Sequence, residues 1–310
     1  MTQTQYNKKH NVKTIFFSDK DKKIKFKATK KITMISIFIN FFLSLWQIII
    51  GFLSQSQGLI ADGLHSSSDL LTDFIVLVAN KHSHKQPDAK HPYGHFRYEN
   101  GASLVLGVIL LLVGINMMWK AFKKILNPSE ISDIHIAALI VSILSLIIKE
   151  SLFRHISNVA YKINSNMLIS NAWHARSDVA SSLIVTIGII ISLYGFKVFD
   201  SIAALIVGIL IINMGYKFTY KSFNDLMDAG ADEKTLAIIS KQLLEIDGVL
   251  NIHDLKTRKS GDYLLVDVHL EVDGLLTVEE GHQIAFFARK KLLTNSNILN
   301  VMIHVDPVKI

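Results

Sequence analysis

Residues 58–80 read GLIADGLHSSSDLLTDFIVLVAN, a stretch long and apolar enough to cross a bilayer that still carries Asp62, His65, Asp69 and Asp73 at spacings of three, four and four. On a helix of about 3.6 residues per turn these side chains form one polar stripe. A second apolar stretch, residues 167–193, repeats the pairing: His174 and Asp178 lie four apart, and Asn171 and Ser181 extend the same face. An aspartate at the centre of a membrane helix costs about 2.5 to 3.5 kcal/mol on the insertion scale, and lipid offers no hydrogen bonds in return. The two stripes are therefore expected to face inward and pair, and Asn40 and Gln47 of the first apolar stretch could join them. Two imidazoles and two carboxylates make a four-ligand nitrogen and oxygen set of the kind Zn²⁺ accepts. Interhelical hydrogen bonding is the plainer alternative, although Ser, Asn or Gln would supply it at lower cost. Asp62 and Asp73 lie nearer the expected membrane faces, as vestibule carboxylates or helix-end groups, and Arg176 is expected to pair or snorkel away from the ligand face.

Half of the 310 residues are hydrophobic, and the mean hydropathy of +0.33 exceeds that of an ordinary soluble chain. The apolarity is segmental. Six spans are read at about 32–53, 58–80, 101–122, 134–156, 167–193 and 198–218, each long enough for about 30 Å of hydrocarbon. An even number places both termini on one side. Lysines crowd residues 8–31, and Lys81, Lys85, Lys90, Arg97, Arg154 and Lys162 occupy the loops on that same side. By the positive-inside rule both termini are cytoplasmic. The net charge of +7 is then mostly a topology signal. Anionic lipid headgroups are the expected contact of the basic tail, in preference to nucleic acid. No apolar core with a cleavage site appears in residues 1–30, so no secretory signal is expected. There are no cysteines, which excludes disulfides and thiolate metal sites.

After Phe223 the texture becomes that of a small soluble domain. Residues 232–246 read as an amphipathic helix, and 249–256 and 263–272 as strands flanking a turn at Ser260-Gly261. Thr277 and Glu280 form a capping-box signature opening a helix to about Leu293, before a last strand at 298–305. Alternation puts Asp267, His269 and Glu271 on one strand face, and His304 and Asp306 on one face of the last strand. The expected organisation is a basic tail (1–31), a six-helix transmembrane domain (32–222) and a cytosolic α-β-β-α-β domain (223–310). The loop residues Asp88, His91 and His95 have a ligand-like spacing, beside a plainer reading in which Pro92-Tyr93-Gly94 only forms a turn.

Three segments together are highly specific: Ala61-Asp62-Gly63-Leu64-His65-Ser66-Ser67-Ser68-Asp69, Asn171-Ala172-Trp173-His174-Ala175-Arg176-Ser177-Asp178, and Pro87-Asp88-Ala89-Lys90-His91-Pro92-Tyr93-Gly94-His95. Through them the chain resembles the cation diffusion facilitator family of divalent-metal/proton antiporters. The resemblance implies a homodimer with one tetrahedral transport site per subunit, ligated by His65, Asp69, His174 and Asp178. It implies a weaker loop site at Asp88, His91 and His95, and a charge pair, Arg97 with Asp228, joining membrane and cytosolic parts. It further implies a cytosolic binuclear zinc site at the dimer interface from His253, His269, His282, His304 and Asp306, from which Val305 departs where a relative offers a polar ligand. The expected activity is proton-coupled, alternating-access efflux of Zn²⁺ across the cell (inner) membrane, since ligands bind metal deprotonated and an unperturbed imidazole titrates near about pH 6.5. The alternatives are an Fe²⁺, Mn²⁺, Co²⁺ or Cd²⁺ exporter of the same build and a non-transporting, metal-sensing scaffold. No nucleophile–base arrangement points to an enzyme.

Overall fold

A computed structural model describes the backbone of residues 19–309 except 84, 86, 132, 163–165, 262 and 296. Side chains are described from Ile32 onward, except at those positions and at 72, 73, 75–83, 130, 166–168 and 170. The side chain of Asp73 and the basic residues before Asp19 lie outside the described residues. Six long helices come first: α1 (Asp19–Leu53), α2 (Gln57–Ser83), α3 (Arg97–Leu126), α4 (Ile136–Lys162), α5 (Asn166–Leu193) and α6 (Val198–Leu226). The shortest have 27 residues, about 40 Å of helix against about 30 Å of hydrocarbon. Among the described residues, five of the six meet the length and hydropathy of a membrane span, α2 being the other long helix. Most helices overrun their apolar stretches: α1 starts at Asp19 and α6 runs to Leu226. Composition marks the edge of the hydrocarbon, whereas the hydrogen-bond ladder continues into the headgroup region, where polar side chains cost nothing.

By backbone packing the chain falls into two units, one reaching Ser67 and resuming at Lys124–Ala204, the other Ser68–Lys123 with Leu205–Ile310. In the first, α1, α4 and α5 share a core of Ile32, Leu152, Ile156, Ala160 and Ala172. Large apolar side chains such as Phe38, Trp46 and Ile140 are exposed, as a lipid-facing surface requires. The α1–α2 corner turns through Gln55 at φ 60°, and Ser56 caps α2 by accepting from the Leu59 N–H at 3.1 Å. Asp200, in the first turn of α6, holds this corner. It accepts from Ser56 Oγ (2.6 Å), Gln57 N (2.7 Å) and Gly58 N (3.2 Å).

In the second unit α3 and α6 meet along glycines. A Cβ on Gly107 would lie 2.6 Å from Thr219 N, and one on Gly215 would lie 2.8 Å from Leu111 N. Small residues allow this approach where lipid gives no hydrophobic drive to association. The C-terminal domain follows as α7 (Glu233–Leu244), β1 (Asn251–Ser260), β2 (Tyr263–Asp273), α8 (Val278–Leu293) and β3 (Ile298–Val308), the expected α-β-β-α-β order. β2 is central, antiparallel to β1 and parallel to β3. Val266, Val268 and Leu270 of β2 pack with Ile239 and Leu243 of α7 and Ala288 and Leu292 of α8 in one core. The capping box at Thr277 and Glu280 is formed. β1 starts two residues later than read and extends to Ser260, with a bulge between His253 and Lys256 that contains Asp254 at φ 51°.

Candidate metal centres

Within the helices, His65 of α2 meets Asp178 of α5, with Nε2 at 3.9 Å from Asp178 Oδ1 and side-chain exposures of 10% and 15%. The other ring nitrogen, His65 Nδ1, is buried without a hydrogen-bond partner among the described residues. Asp69 follows one turn on along α2. His174 stands one turn before Asp178 on α5, is exposed, and is not among the described ligand atoms gathered within 4.8 Å. Arg176 leaves the ligand face as expected: Nη1 pairs with Glu150 at 2.7 Å, and the guanidinium covers the Phe153 ring at 5.1 Å.

Asp62 is corrected from a vestibule carboxylate to a buried one, 1% exposed. Lys149 of α4 reaches its Oδ1 at 3.1 Å. Gln47 and Ser182 donate to its Oδ2, and Ser181 Oγ lies near its Oδ1. Sequence reasoning missed Lys149, Ser182 and Asp200. Lys149 is the one lysine at the middle of an apolar stretch, residues 134–156, and that anomaly was the available signal.

In the C-terminal domain the sheet register lines up three imidazoles. His253 is the cross-strand partner of His269, which is the partner of His304. The ring centroids are 4.9 and 4.7 Å apart in turn. Asp306 sits among them: its carboxylate lies 3.1 Å from His253 Nε2, 2.9 Å from His269 Nδ1 and 3.2 Å from His304 Nε2. The His269 hydrogen bond, helped by the other two imidazoles, holds the Asp306 carboxyl below the ordinary carboxylate range. Asp254, carried in by the bulge, and Glu271, 3.9 Å from His253, complete the surround. Asp254 was not readable, since the bulge that aims it is a pairing effect. His282 is not brought to this cluster. It is exposed on α8, which packs on the apolar face of the sheet, whereas the histidine row occupies the opposite face. Val305 likewise points to the helix layer, where a Cβ on Gly281 of α8 would lie 3.7 Å from Val305 Cγ1.

The loop before α3 gathers all three expected residues. Asp88 lies 3.4 Å from His91 Nδ1 and 3.3 Å from His95 Nε2, and His95 is buried. The Gly94 N–H bonds to His91 O at 3.0 Å with Gly94 at φ 86°, so the turn reading also holds and is what brings the two rings together. The His91 backbone N–H, above all, draws the Asp88 carboxyl below its ordinary range. Arg97 pairs with Asp228, which follows α6 at φ 62°. Around this pair Gly261 N donates to Asn100 Oδ1 at 3.1 Å, and the Phe96 and Tyr263 rings meet at 5.0 Å.

These features define a multi-pass helical membrane protein with metal-ligand side chains clustered among its helices and across an appended mixed sheet. Residues 33–227 match the family profile for the cation efflux transmembrane domain, and residues 231–308 that for the cytoplasmic domain of cation efflux proteins. An uncharacterised transporter of Methanocaldococcus jannaschii is 32% identical over 282 residues, 91% of this chain and 99% of that one. The magnetosome protein MamB of Magnetospira sp. is 31% identical, over 89% of this chain and 94% of its own. The manganese efflux system protein MneP of Bacillus subtilis is 28% identical, over 90% and 96%. The chain belongs to the cation diffusion facilitator family. It is a metal-cation efflux transporter, not an enzyme, and its C-terminal domain is cytoplasmic.

Proposed function

We propose that the exported cation is Zn²⁺, exchanged for protons by alternating access at a site of His65, Asp69, His174 and Asp178. The observation that carries this is the approach of His65 to Asp178 across α2 and α5 at 3.9 Å, beside a buried ring nitrogen without a partner among the described residues. His174, one turn before Asp178 on α5, would supply the fourth ligand. Imidazole donors favour Zn²⁺ over harder cations, and ligands that bind metal must first release protons, which links the two fluxes. MneP is named for manganese, so Mn²⁺ is the competitor to test.

The working unit is a homodimer in the cell membrane with both termini cytoplasmic. Zn²⁺ held by His253, His269, His304 and Asp306 tunes transport, and the loop group Asp88, His91 and His95 takes metal more weakly. Metal flux in reconstituted vesicles under a pH gradient tests the reading. Zn²⁺ should move faster than Mn²⁺, only with the gradient, and Asp178→Ala should reduce flux to background. Equal flux in Asp178→Ala removes the site, gradient-independent flux removes the proton coupling, and preference for Mn²⁺ removes zinc. The double variant His269→Ala/His304→Ala should transport but lose metal-dependent compaction of the dimer. Unchanged compaction refutes the regulatory site.

A further inference from the structure

Lys149 is 3% exposed within the membrane unit, and the transport scheme leaves it unused. Its ammonium donates to Ser182 Oγ at 2.6 Å and lies 3.1 Å from Asp62 Oδ1. The Asp62 carboxylate is held on both oxygens. Oδ1 faces Lys149, and Oδ2 accepts from Gln47 and from Ser182 (2.6 Å). Ser181 Oγ lies 3.4 Å from Oδ1 but gives its one proton to Asp178 O at 2.9 Å. Three donors, one of them an ammonium that neutralises the charge, compete with any metal for the roughly four acceptor positions of a carboxylate. Yet Asp62 precedes His65 by three residues on α2, about 4.5 Å along the helix. An aspartate so placed would join a cation at His65 if nothing else took its charge. Helix glue alone explains the arrangement poorly, because a fully desolvated ion pair is a weak stabiliser compared with apolar packing.

We propose that Lys149 is a specificity-determining residue: its ammonium stands in for a cation at Asp62 and keeps that carboxylate out of the coordination sphere of the exported metal. The inference rests on the transport reading of His65 and Asp178. With Asp62 withheld, imidazole nitrogen keeps its weight in the ligand set. Releasing Asp62 adds a carboxylate and moves the site toward harder, oxygen-preferring cations such as Mn²⁺.

The test compares Zn²⁺ and Mn²⁺ binding to the full chain in nanodiscs for wild type, Lys149→Met and Asp62→Asn/Lys149→Met. Lys149→Met should raise the Mn²⁺-to-Zn²⁺ preference by about tenfold, and the double variant should return to within about threefold of wild type. A residue that merely braced the helices would show no such reversal. An unshifted preference in Lys149→Met, or a shift persisting in the double variant, overturns the proposal. Should Lys149→Met lose its fold in metal-free buffer, Mn²⁺ must restore it by taking the place of the ammonium, and failure to recover overturns the proposal as well. Asp178→Asn separates the two readings. Undiminished binding there sinks the transport site, whereas lost binding with an unshifted Lys149→Met sinks only the role of Lys149.

Discussion

Substituting Gly107 by alanine adds one methyl to the seam between α3 and α6. That carbon would lie 2.5 Å from Thr219 Oγ1, 2.6 Å from Thr219 N and 3.0 Å from Gly215 O. The hydroxyl can rotate away, but the backbone nitrogen and carbonyl move only if α6 moves. Relief therefore requires the two helices to separate where a Cβ on Gly114 would also lie 3.1 Å from Ile212 N and one on Gly215 would lie 2.8 Å from Leu111 N. Overpacking of this kind costs about 1–3 kcal/mol, and the better helix propensity of alanine returns about 1 kcal/mol. The net expectation for Gly107→Ala is a loss of up to about 2 kcal/mol. Gly208 on the same seam is the control, since its Cβ would meet nothing closer than 3.5 Å. Gly208→Ala should be neutral or gain up to about 1 kcal/mol. Unfolding in mixed micelles, followed by circular dichroism, compares the two. If Gly107→Ala is as stable as Gly208→Ala, the backbone seam between α3 and α6 is wrong.

Asp200→Ala removes an acceptor of three hydrogen bonds at the α1–α2 corner. It should destabilise by about 3 kcal/mol and speed proteolysis near residues 54–57; wild-type resistance would contradict the anchoring role. Thr277→Ala breaks the capping box and should cost about 1 kcal/mol at the start of α8, read as faster amide exchange confined to its first turn. Acid should loosen the same turns. Hydrogen bonds from Thr235 hold the Asp232 carboxyl below its ordinary range, and the Thr277 N–H and hydroxyl do the same for Glu280. A lowered native pKa means that the folded state binds fewer protons, so this stabilisation is complete above about pH 5 and fades as pH falls through about 4 and below. Amide protection at the first turns of α7 and α8 that stays constant between about pH 6 and pH 3, after correction for intrinsic rates, would refute it.

Much of the architecture follows from patterns local in the chain. A helix span declares itself in about 20 consecutive apolar residues, and His65 with Asp69, or His174 with Asp178, declares a face through spacing alone. Thr277 and Glu280 cap a helix three residues apart, and Val266, Val268 and Leu270 alternate with Asp267, His269 and Glu271. Each signal needs only the period of its own element. The cytosolic cluster was legible in part: alternation put His269 on the polar face, but the row of His253, His269 and His304 depends on strand register. The same register leaves His282 on the other layer.

What the sequence determined by itself is that two helices carry costly ionisable stripes that must turn inward, and that a small α+β domain follows them. Only the tertiary structure decided which stripe residues meet. His65 reaches Asp178, while Asp62, read from the pattern as a vestibule or helix-end carboxylate, is taken by Lys149 from 87 residues away. The physical reason is that a buried charge is governed by its surroundings in space. Its partners come from whichever helices pack beside it, and spacing within one helix carries no record of them.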